Sequence, residues 1–165
     1  MRLIGAAFVA AAGLLAGLAA GRSYRAAAER CAALCRMLEL LMFELDRFHT
    51  PLPELFDSLA DRTDGDAAAL CRRAADGLAA DTPGPFADIW RDAVAPTAPA
   101  ERTILAPLGG VLGRYGTEEQ LSAAADCLRL MRRRQDELRS AVGRRSRLAV
   151  GLCACGGALL AVLLL

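Results

Sequence analysis

Between Cys31 and Phe48 a set of apolar residues recurs at 31, 34, 35, 38, 41, 42, 45 and 48. That spacing of three and four gathers them on one face of an α-helix. No proline or turn signal separates this stretch from an uncharged block upstream, so the two read as one long helix. The run stops at His49-Thr50-Pro51: the residue before a proline is pushed out of helix, and proline itself suits the first turn of the next one. Four short helices follow by the same reading. Leu52, Leu55, Phe56 and Leu59 mark the second, and Ala67, Leu70, Cys71, Ala74 and Leu78 the third, with the turn Asp61-Arg62-Thr63-Asp64-Gly65 between them. Asp81-Thr82-Pro83-Gly84-Pro85 breaks the third, and Phe86, Ile89, Trp90 and Val94 mark a fourth that ends in residues 96–99. Ile104, Leu105, Leu108, Val111 and Leu112 mark a fifth, stopped by Gly113 and Gly116.

The last helix has the clearest start. Thr117-Glu118-Glu119-Gln120 fits a capping box, in which the threonine and glutamine side chains serve each other's backbone donors. Leu121, Ala124, Leu128, Met131, Leu138 and Val142 then recur at heptad-like spacing, and no breaker precedes a second apolar block. Outside the apolar blocks, the first and last helices cover about residues 22–49 and 118–147. At 1.5 Å per residue these are roughly 42 and 45 Å long. Their equal length suits an antiparallel pair with the short helices packed upon it, an all-α bundle of about six helices.

The apolar blocks span residues 3–20 and 148–165, each about 18 residues without a charge and close to the minimum for crossing a bilayer. The expected organisation is a transmembrane segment over 1–21, a helical bundle over 22–147 and a second transmembrane segment over 148–165. A cleaved signal peptide is the competing reading of the first block. Against it stand Gly13, Gly17 and Gly21, two successive GxxxG steps of the kind that let another helix approach closely in lipid. Arg139, Arg144, Arg145 and Arg147 flank the second block, and Arg22, Arg25 and Arg30 follow the first. Positive charge marks the cytoplasmic side, so the middle of the chain is expected there, with its basic end on an anionic leaflet. Glu44, Asp46, Glu54, Asp57, Asp61, Asp64 and Asp66 are expected at the distal end.

Composition agrees with helix: 55% of the 165 residues are hydrophobic and only 5% aromatic, with alanine and leucine dominant. Net charge is +1, so bulk charge says nothing about nucleic acid, and with interleaved aromatics missing around Arg132-Arg133-Arg134 no nucleic acid is expected. All 20 basic residues are arginine, which excludes a P-loop and lysine Schiff-base chemistry. His49 is the lone histidine and reads as a surface or capping residue. No two of the six cysteines form a CxxC. Cys31, Cys35, Cys71 and Cys127 lie on apolar helical stripes as reduced, packed thiols, and no second pair of ligands completes a metal site. No catalytic residue, cofactor, metal or small-molecule substrate is expected, and Trp90, the sole tryptophan, reads as a core anchor.

The order of features resembles the stage III sporulation protein AB family. It runs from an N-terminal apolar segment through Glu44, Thr50-Pro51-Leu52, Trp90, Leu108-Gly109 and Leu112-Gly113 to Gln120 opening the last helix and a leucine-rich end. Gly116 stands where that family tends to carry an aspartate. The resemblance implies a helical module similar to the cytoplasmic domains of F-type platform proteins of type II secretion. It implies a non-enzymatic scaffold in the mother-cell membrane facing the forespore, within the channel complex that joins the two cells. The partners it implies are other sporulation channel proteins, including a secretion-type ATPase. A general secretion-platform adaptor or membrane regulator is the alternative. The distal turns, with Thr50, Pro51, Leu112, Gly113 and Gln120, are the expected partner surface.

Overall fold

The computed structural model describes the backbone of residues 2–47, 50–80 and 84–164, and the side chains of 22–47, 50–80 and 84–141. Among these residues there are six α-helices, one 3₁₀ segment and no strand. In chain order they are α1 (Arg2–Arg47), α2 (Leu52–Arg62), α3 (Gly65–Ala79), α4 (Phe86–Val94), α5 (Pro99–Leu105), the 3₁₀ segment Ala106–Gly110 and α6 (Thr117–Leu164). The architecture is the all-α bundle that the periodicity predicts. The two long helices are of nearly equal length, 46 residues in α1 and 48 in α6, and both run unbroken through the terminal apolar blocks. Among the described residues no helix is long and apolar enough to cross a membrane, and the expected spans at 3–20 and 148–165 lie outside the described side chains.

The chain forms two compact units. One gathers Met1–Ala28 with Asp136–Leu165, and the other is Glu29–Gln135. Within the second, Arg132 of α6 donates to Glu39 of α1 at 2.6 Å, so the two long helices lie side by side there. The core of this unit follows the apolar stripes. Leu34, Met37, Leu38 and Leu41 of α1 are at most 1% exposed, as are Leu55, Phe56 and Leu59 of α2. Each such side chain contributes about 1.5–3 kcal/mol by leaving water. Phe56, Phe86 and Trp90 form an aromatic cluster with ring centroids 5.7 to 5.9 Å apart, joining α2 to α4. Gly65 has φ of +59°, a left-handed conformation that costs glycine little, and it turns the chain from α2 into α3.

The fifth helix departs from its expected bounds. α5 begins at Pro99, where a missing N–H is harmless, and ends at Leu105. Pro107 explains the stop: in α-helix its ring would clash with the carbonyl four residues back, so the chain tightens into the 3₁₀ segment instead. Three neighbours fasten this stretch. The Cys31 thiol of α1 donates to Glu101 Oε1 (3.3 Å), the Trp90 indole of α4 to the Leu105 carbonyl (2.8 Å), and the Cys127 thiol of α6 to the Ile104 carbonyl (3.1 Å).

The expected separation of charge does not hold at one acid, and a second is neutralised at its own end. Asp66 pairs with Arg30 at 3.7 Å, which joins a residue assigned to the acidic end to one assigned to the basic end. Glu44 is taken by Arg62 of α2 at 2.5 Å. The short helices fold back along α1, so these acids face arginines rather than each other.

Candidate interaction surface

The two turns singled out in the sequence are brought together. Thr50 is partly buried and Pro51 exposed, and they lead into α2 through Leu52. Leu52 Cδ1 lies 2.7 Å from where a Cβ on Gly113 would stand. Gly113 has φ of +72°, so both its backbone and its neighbour require glycine. Beyond it Tyr115 is 53% exposed, with the Arg114 guanidinium carbon 6.0 Å from its ring centroid.

Gln120 holds this turn. Its Nε2 donates to the Tyr115 carbonyl at 2.7 Å, and its Oε1 accepts from the Gly113 N–H at 3.4 Å. That replaces the reciprocal capping box: the amide reaches back across the turn rather than to the residue three before it. The backbone N–H of Gln120 bonds the Gly116 carbonyl at 3.1 Å, which makes Gly116 the residue that opens α6. Leu112 is a correction to the expected surface. It is 1% exposed and belongs to the core: its N–H bonds the Leu108 carbonyl at 2.9 Å, which carries it round to the buried side beside Leu108.

The other site residues fall as follows. Trp90 is fully buried, and its Cβ, Cγ and Cδ1 lie 2.6 to 2.9 Å from where a Cβ on Gly109 would be. Arg22, Arg25 and Arg139 are exposed. Arg144, Arg145 and Arg147, like Gly13, Gly17 and Gly21, lie outside the described side chains, and His49 lies outside the described residues. Cys31, Cys35, Cys71 and Cys127 are reduced and buried. Burial pushes Cys31 and Cys71 up to about 12 from 9.0, and Cys127 to about 11; the neighbouring Glu101 carboxylate adds to the shift at Cys31. These three thiols stay protonated and unreactive.

Three residues escaped the sequence reading. Glu101 is only 4% exposed, although a glutamate in a first helical turn usually faces water. Phe43 and Tyr115 are exposed although aromatic, and Phe43 lies off the apolar stripe of its helix. Between α3 and α4 lies a groove of about 340 Å³, lined by Arg73, Ile89, Asp88 and Asp92, but Arg73 Nε is spent on the Ala93 carbonyl at 2.8 Å. Among the described residues no group of three or more His, Cys, Asp or Glu could hold a metal ion.

The family model for stage III sporulation protein AB matches residues 2–165. A solved structure of a stage III sporulation protein AB (SpoIIIAB) shares the fold, with a TM-score of 0.62 at 18% identity, over 69% of this chain and 94% of that one. No match was found among the curated proteins.

Proposed function

The chain belongs to the stage III sporulation protein AB family and so has its role in sporulation; from that premise we propose that it is a membrane-anchored, non-enzymatic scaffold of the mother cell–forespore channel. Its apolar ends would lie in the mother-cell membrane with the Glu29–Gln135 unit in the cytoplasm. There the paired turns receive a partner, and the family likeness favours a secretion-type ATPase. One observation carries this reading: Leu52 against Gly113 joins two sequence-distant turns, and Pro51 and Tyr115 stand exposed beside the join. A rigid, partly aromatic patch of this kind suits a protein partner better than a small molecule.

The test replaces the chromosomal gene in its sporulating host with Pro51→Ala/Tyr115→Ala. Both side chains are exposed, so the protein should accumulate at its normal level in the membrane fraction. We expect heat-resistant spores to fall about tenfold or more, with loss of ATPase co-purification, as when hot-spot side chains are truncated. Normal spore counts at normal protein levels would remove the turns as the docking surface.

A further inference from the structure

α1 carries a second surface, on its side rather than at the turns. Arg36, Leu40, Phe43 and Arg47 recur at helical spacing and fall within about 60° of arc over roughly 16 Å of helix. Phe43 is 46% exposed, Leu40 is partly buried, and both arginines are exposed. The Arg47 guanidinium carbon sits 5.4 Å from the Phe43 ring centroid, so ring and cation form one unit.

Ion pairs border this strip on both sides. Glu39 is held by Arg132 of α6 at 2.6 Å, and Glu44 by Arg62 of α2 at 2.5 Å. The two nearest carboxylates are thereby neutralised from within the fold. Asp46, on the α6 side, is the remaining acid at the edge. The strip itself presents a leucine and a phenylalanine between two arginines.

We propose that this face of α1 is a docking site for an amphipathic helix of another protein that presents apolar residues between two carboxylates. Helices bind such faces through anchors at three- and four-residue spacing, and the flanking charges select the partner. A second copy of this chain is a poor occupant. An antiparallel pairing about the Leu40–Phe43 midpoint sets Arg36 of each copy against Arg47 of the other, and a parallel pairing sets like residue on like.

The full-length chain in phosphatidylcholine nanodiscs would be titrated with two fluorescent helical peptides. Both carry a central leucine pair at three-residue spacing; one has glutamates eleven positions apart around it, the other arginines. The glutamate peptide should bind about tenfold or more tighter, with the preference shrinking as salt rises. Arg36→Glu/Arg47→Glu should reverse the order of the two peptides. Phe43→Ala should weaken the glutamate peptide about tenfold with thermal unfolding unchanged, since the side chain is half exposed. Equal binding of the two peptides, or a preference that survives charge reversal, overturns the proposal. So does a nanodisc-free detergent sample in which Phe43→Ala converts a dimer to a monomer, because the face would then be a self-interface.

Discussion

A methyl group at position 109 would stand 2.6 Å from Trp90 Cδ1, and the indole is tied through the adjoining Nε1 to the Leu105 carbonyl. Neither backbone nor ring has room to yield, so Gly109→Ala should cost about 1–3 kcal/mol, the usual range for overpacking a core. A urea denaturation series followed by Trp90 fluorescence reads this directly, and an unchanged midpoint would mean the contact relaxes at no cost. The buried thiols give a second prediction. Folded Cys31 and Cys71 ionise near about 12 and Cys127 near about 11, whereas the unfolded thiols ionise near 9.0. Unfolded chains therefore lose these protons first. The thiols' contribution to stability is fully present below about pH 9 and is lost as pH climbs toward 11–12. With no lysine in the chain, few other groups titrate in that window. Denaturation midpoints should fall between about pH 8 and about pH 10.5, and less steeply in Cys71→Ala. At this scale the tryptophan anchor was legible, because it falls on an apolar period. Glu101 was not, since only the tertiary donation from Cys31 marks it as buried.

The elements were written mainly by their breakers. Pro51, Gly65, Pro85 and Pro99 each stand at or beside a helix start, where a fixed φ or a left-handed glycine is tolerated. Pro107 misled for a physical reason: Leu105, Leu108 and Leu112 keep helical spacing, but a 3₁₀ turn can bury the same residues without the α-helical hydrogen bonds that proline forbids. The start of α6 was placed at the right residues, with a different bonding pattern. Because Gln120 spans from Gly113 to Tyr115, Gln120→Ala should cost about 1 kcal/mol. It should also speed amide exchange at Gly113 and Tyr115 more than within α2. Uniform exchange across the bundle would show that the turn is held by Gly113 and Leu52 instead.

For the molecule as a whole, the matched lengths of the first and last helices suggested pairing them, and the Glu39–Arg132 bond joins them within the Glu29–Gln135 unit. Charge was a weaker guide. Arg30 meets Asp66 of α3, a residue expected at the opposite end, so the linear charge map fails at that pair. The proposed partner surface was legible only as turns, and their apposition depends on a contact 61 positions apart in the chain, between Leu52 and Gly113. If residues 1–21 anchor the protein, the chain extracted from membranes should keep its full 17.4 kDa, less at most the initiator methionine. A mass that places the start near residue 21 would mean a cleaved leader and a different topology. One feature bears on synthesis. The α5 stretch is seated by Cys31, Trp90 and Cys127, and the last of these emerges from the ribosome well after the stretch itself. A nascent chain therefore holds α5 by only two of its three latches until residue 127 has cleared the exit tunnel, and a message truncated before that point yields a product less firmly closed and more prone to degradation.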